Sequence, residues 1–79
     1  MRFYIHVVAN GERVIDEDGS DFADLAAARH EAVASAREIM AERLRTAQII
    51  PADFSLIITD AQGDTVGNLS MRDVAFGAA

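Results

Sequence analysis

From Leu25 to about Thr46 the chain runs without a glycine or a proline, and Leu25, Ala28, Ala32, Ala36, Ile39, Met40 and Leu44 recur along it at helical spacing. No other feature narrows the fold as much. At about 1.5 Å per residue the run makes a helix roughly 33 Å long. Asp24 stands just before it, where a carboxylate accepts hydrogen bonds from the amides that a first helical turn leaves without partners. Arg43 and Arg45 suit the negative end of the helix dipole, and Pro51 forbids continuation. The first half of the apolar stripe is alanine, which lets a helix approach a sheet closely. The larger Ile39, Met40 and Leu44 are expected to fill space near its end.

Both flanks of this helix read as β-hairpins. Arg2 to Ala9 alternates, with Phe3, Ile5 and Val7 on one side and Tyr4, His6 and Val8 on the other. Asn10-Gly11 follows, the pair that a two-residue type I′ turn requires because both central residues have positive φ. That turn pairs Val7 with Val14 and His6 with Ile15, and sends Phe3, Ile5, Val7 and Val14 toward the core. The returning strand is expected over about Glu12 to Asp16. After the helix, Phe54, Leu56 and Ile58 alternate with Ser55, Ile57 and Thr59. Asp60-Ala61-Gln62-Gly63 is a turn with Gly63 as its left-handed residue. The final strand, Thr65 to Met71, needs a bulge near Gly67, since Val66 and Leu69 differ in parity and strict alternation cannot bury both. Residues 72–79 are expected to form no element of their own, with 76–79 a mobile tail. The reading is therefore one α+β domain over residues 1–79, in the order β-β-α-β-β, with one long helix packed on an antiparallel sheet of two hairpins.

Composition narrows function by exclusion. Thirteen acidic against seven basic residues give a formal charge of −6, which repels phosphate backbones, so nucleic acid is not an expected partner. All seven basic residues are arginine, which excludes lysine Schiff-base chemistry and P-loop phosphate binding. The absence of cysteine excludes disulfides and thiolate metal sites and fits a reducing compartment, the cytoplasm by default. Met1 to Asn10 lacks the continuous apolar core of a signal peptide, and no stretch approaches the roughly 20 apolar residues of a membrane span. Hydrophobic residues make up 51% of the chain, but many are alanines that bury little area. A lone monomer would be marginal, which favours self-association.

The candidate chemistry is sparse. Asp16, Glu17, Asp18, Asp21 and Asp24 crowd together, yet Gly19 falls in the fourth position of that run rather than the sixth and no glutamate closes the loop, so the EF-hand pattern is missed. A solvated acidic turn and a helix cap account for them. His6 and His30 have no ligand partner at metal spacing, and Ser20, Ser35, Ser55 and Ser70 sit in no nucleophile motif. No catalytic residue, metal or cofactor is expected. The side of the sheet turned away from the helix, with Tyr4, His6, Val8, Arg13, Ile15, Ser55, Ile57 and Thr59, is too apolar for a plain solvated face and marks a contact with another chain.

The string of residues also resembles a known family of short alphaproteobacterial proteins assigned to a domain of unknown function. The shared pattern is Phe3-Tyr4-Ile5-His6-Val7, then Asp18-Gly19 and Asp24-Leu25 leading into Ala27-Ala28-Arg29 and Glu31-Ala32, then Ala36, Arg37-Glu38 and Met40. It continues with Thr59-Asp60, Gly63, Val66, Leu69 and Met71-Arg72-Asp73. The resemblance covers nearly the whole chain, implies the same fold, and brings no activity, cofactor or catalytic set. One departure is Ala23, where such proteins usually carry a proline. Asp18-Gly19 and Asp24-Leu25 also echo HicB-type antitoxins, although the strand between acidic turn and helix is missing here and no DNA-binding extension follows Met71.

The expectation that follows is a non-enzymatic module whose sheet face or edge strand binds a second copy or another protein. The alternative is an acidic antitoxin or nuclease inhibitor that offers Asp16, Glu17, Asp18, Asp21, Glu31, Glu38 and Glu42 to a basic partner as phosphate mimics. A small enzyme or a divalent-metal sensor is a third class.

Overall fold

The structure is a computed structural model and describes residues 1–77. Strands β1 (Arg2–Ala9), β2 (Glu12–Val14) and β3 (Ser20–Asp21) precede helix α1 (Leu25–Arg45), and β4 (Ser55–Thr59), β5 (Thr65–Ser70) and helix α2 (Met71–Phe76) follow it. All strand pairs are antiparallel. The order across the sheet is β2-β1-β4-β5, with β3 on the same side of β1 as β2.

The first hairpin has the expected register. Asn10 and Gly11 take φ of 54° and 73°, and Val7 faces Val14, Val8 faces Arg13 and Ala9 faces Glu12. The ladder stops there, so Ile15 does not pair with His6 and β2 is shorter than expected. The chain instead loops out and returns as β3, a two-residue strand that alternation could not reveal, with Arg2 opposite Asp21 and Phe3 opposite Ser20. In the second hairpin the register shifts between Ile58, which faces Gly67, and Thr59, which faces Thr65. Val66 is thus the extra residue of a bulge beside Gly67, and Leu69 is buried while Val66 is half-buried.

Helix α1 starts where the sequence places it. Asp24 is extended and its carboxylate accepts from Ala27 N at 2.8 Å. Ala28, Ala32 and Ala36, one per turn, are fully buried against the sheet, where Phe3, Phe54, Leu56, Ile58 and Leu69 complete the core. Val14 and Leu44 were expected in that core and are not: they are 67% and 69% exposed. Length explains Leu44, since 21 helical residues span about 31 Å while the five residues of β4 span about 17 Å, so the last turns overrun the sheet. Val14 lies on the helix side of the sheet but at its outer edge, beyond the width that one helix covers.

A second helix replaces the expected terminal tail. Ser70 Oγ accepts from Asp73 N and Asp73 Oδ2 accepts from Ser70 N, at 3.1 and 3.0 Å, a reciprocal capping box. Val74 is buried in the core, and Gly77 closes the helix with φ of 68°. Phe76 and Gly77 therefore belong to α2 and its cap, and positions 78–79 of the expected tail lie outside the described residues.

Candidate interaction surface

Alternation along β1 and β4 puts one set of side chains under α1 and leaves the other on a sheet face that no element covers. From the strand registers that open face carries Arg2, Tyr4, His6 and Val8 of β1, Arg13 of β2, Asp21 of β3, Ser55, Ile57 and Thr59 of β4, and Thr65, Asn68 and Ser70 of β5. Tyr4, Val8 and Ile57, at its centre, are half-buried by their neighbours, and Arg13 is exposed. Ile15 is also exposed but follows the end of β2, outside the ladder. Of the six expected contact residues, five thus share the face and Ile15 borders it. A shallow depression separates Tyr4, His6 and Arg13 from the Asp60–Gly63 turn.

His6 was expected as a surface residue of this face and is instead buried, with 8% of its area accessible. The loop that follows β2 folds back onto it, so that Asp16 N donates to His6 Nδ1 at 3.1 Å and Nε2 lies 3.0 Å from Thr59 Oγ1. An amide can only donate, so Nδ1 accepts here and the Nε2 N–H donates to the Thr59 hydroxyl. The Asp16, His6 and Thr59 set has the residue types of a nucleophile triad with the opposite polarity. A ring whose Nε2 already holds its proton cannot take one from Thr59.

Asp16 closes the gap between β2 and β3. Its Oδ2 accepts from Ile5 N at 3.2 Å, the β1 amide that neither short strand reaches, and Oδ1 accepts from Gly19 N at 3.1 Å. Partial burial opposes ionisation, but the amides of Ile5, Gly19 and Asp18 outweigh it and hold the carboxyl below the ordinary aspartate value. Gly19 cannot be another residue without adjustment: its φ is 67°, and a Cβ there would lie 2.8 Å from Tyr4 Cε2 and 2.9 Å from the Phe3 carbonyl oxygen.

The other acidic residues singled out from the sequence do not converge. Asp21 is paired with Arg2 at 3.1 Å, Glu31 accepts from Ser35 Oγ and Glu42 is paired with Arg45. Glu17 and Asp18 are exposed in the loop, and Glu38 is exposed on α1. Among the described residues no group of three or more His, Asp or Glu side chains is placed to hold a metal ion, and no helix is long and apolar enough to cross a membrane.

The family model described as Domain of unknown function (DUF6894) matches residues 2–72, from the first residue of β1 to the start of α2. The chain belongs to that family. The DUF6894 match spans both hairpins, the acidic loop and α1, so the resemblance read from the aromatic first strand and the alanine stripe holds over nearly the full fold. It gives no link to HicB-type antitoxins. No curated protein and no solved structure matches the chain.

Sequence reasoning missed one feature on this surface and one on the opposite side of the sheet. The first is the Asp16 and His6 contact, which depends on a loop folding back and leaves no periodic signal. The second is α2, whose Ser70-x-x-Asp73 spacing is a legible capping box, hidden because six residues are too few to show helical periodicity.

Proposed function

We propose that the protein is a non-enzymatic interaction module that self-associates face to face through the open side of its sheet, in the cytoplasm. The observation that carries the reading is the distribution of charge. The chain as a whole has charge −6, so most approaches between two copies bring carboxylates together. Along the described strands the open face has one acid, Asp21, and it is paired with Arg2. At its centre stand Tyr4, Val8 and Ile57, beside the buried His6. Four strands about 4.8 Å apart and about 20 Å long give roughly 400 Å² in projection, more once side-chain relief counts. That lies below the roughly 600 Å² per partner at the low end of stable interfaces, and points to a weak dimer.

Sedimentation equilibrium between about 10 μM and 1 mM tests this. The wild type is expected to shift from monomer to dimer, and Ile57→Asp, which adds a carboxylate to the open face without touching the helix side, to stay monomeric with an unchanged circular dichroism spectrum. A wild type that is monomeric throughout, or an Ile57→Asp variant that dimerises equally well, refutes the proposal.

A further inference from the structure

On the other side of the sheet, α1 and α2 diverge above β5 and leave a groove of about 250 Å³. Its wall along α1 is a single helical stripe that includes Arg29, His30, Val33 and Arg37, and Leu69 and Asp73 line the other side. The charge here is opposite to that of the molecule. Two of the seven arginines and one of the two histidines meet a single acid, Asp73, whose carboxylate already accepts the Ser70 amide in the capping box.

Arg37 is held rather than free to wander. Arg37 Nε donates to the Val74 carbonyl at 3.1 Å, which fixes its guanidinium plane across the end of α2 with Nη2 near Gly77. Arg29 reaches over β5, where Nη1 lies 3.4 Å from the point a Cβ on Gly67 would occupy. Val33, half-buried, and Leu69, buried, give the groove an apolar lining between the two cationic groups. The volume is below the about 300–1,000 Å³ of clefts that take drug-sized ligands, which limits the occupant to a few carbons.

We propose that this groove binds a small aliphatic monocarboxylate, its carboxylate on the Arg29 guanidinium and its short chain against Val33 and Leu69, toward Arg37. Arginine presents paired N–H donors that match the two oxygens of a carboxylate. An inorganic anion would satisfy the charge and leave the apolar lining unused.

Amide chemical-shift titration of the full chain with sodium acetate, butyrate and hexanoate at constant ionic strength tests the proposal. Shifts are expected at Ala26 to Arg37 and at Leu69 to Gly77, with hexanoate binding at least about tenfold more tightly than acetate, since each buried methylene adds up to about fourfold. Arg29→Gln is expected to weaken hexanoate about tenfold. Ala26→Glu, which puts a carboxylate on the exposed rim of the groove, is expected to abolish binding and has no packing role through which to unfold the protein. Equal affinities across the series, inorganic phosphate binding the same residues as tightly as hexanoate, shifts scattered over the surface, or unchanged affinity in both variants would each overturn it.

Discussion

Replacing Asp16 with alanine is the most informative single perturbation, because one side chain joins the two halves of the sheet edge. The substitution leaves Ile5 N and Gly19 N without the carboxylate oxygens that now lie 3.2 and 3.1 Å away. A hydrogen bond to a charged group contributes about 1.5–3 kcal/mol when shielded, and the partial exposure of Asp16 brings the pair down to about 1–2 kcal/mol in total. Against a net stability of about 3–5 kcal/mol for a domain of this size that loss is large. It corresponds to a fall in Tm of about 5–15 °C, measured by far-ultraviolet circular dichroism because the chain has no tryptophan. Asp16→Asn is expected to recover little, since its NH2 group faces one of the two amides. The pH dependence separates this account from loss of packing. The folded carboxyl lies below its ordinary value of 3.8, so its contribution is complete above the unfolded pKa and disappears as pH falls through the folded one. The Tm difference between wild type and Asp16→Ala should be full near about pH 7 and should close below about pH 4. A variant within about 2 °C of wild type at neutral pH, or a difference that persists unchanged in acid, refutes the reasoning.

Three further outcomes follow from the packing. Ala32→Leu, at a position with no accessible area, is expected to lose about 1–3 kcal/mol in urea unfolding by lifting α1 off the sheet, while Ala34→Leu on the exposed face of the same helix should change little. Ser70→Ala removes the side chain that caps α2 and is expected to cost about 0.5–2 kcal/mol, with loss of amide-exchange protection confined to α2 and its contact with α1. Ala47 holds φ of 57° just after α1, a conformation that favours glycine, so Ala47→Gly is expected to raise stability by about 0.5–1 kcal/mol; Gly19→Ala, the reverse change at a crowded site, should lower Tm and broaden the unfolding transition.

How far the fold was legible depended on how local its causes are. Asn10-Gly11 dictates its turn through its own φ values, and Asp24 caps its helix through the amide three residues on, so both could be read from a few adjacent letters. Even the bulge at Val66 and Gly67 was implied by a clash of parity between two residues of one strand. What escaped depends on separation in sequence or on relative length. β3 exists because Phe3 offers it a partner, and Ser20-Asp21 carries no pattern of its own. Leu44 fits the apolar stripe of α1, and only the shortness of β4 leaves it in water. His6 sits on the alternation that marks an open face, yet a loop ten residues later covers it.

The meaning of the acidic composition changes once these contacts are known. Asp16, Asp24, Asp53, Asp60 and Asp73 each accept at least one backbone amide, in the loop beside β2, the cap of α1, the tip of the first hairpin, the turn before β5 and the cap of α2. Asp53 takes both Asn10 N and Gly11 N, at 2.8 and 2.7 Å, and these amides hold its carboxyl below the ordinary value. A small two-layer fold has many chain reversals and few residues with which to cover them, so each reversal exposes amides that an aspartate can satisfy from two to four positions away or from a neighbouring loop. Much of the negative charge is therefore a consequence of turn and cap chemistry, dispersed one carboxylate at a time. A surface evolved to imitate a phosphate backbone needs its carboxylates ordered along one face and free to meet a basic partner. Here Glu17, Asp18, Glu31 and Glu38 are divided between a loop and a helix, so no one face presents them together.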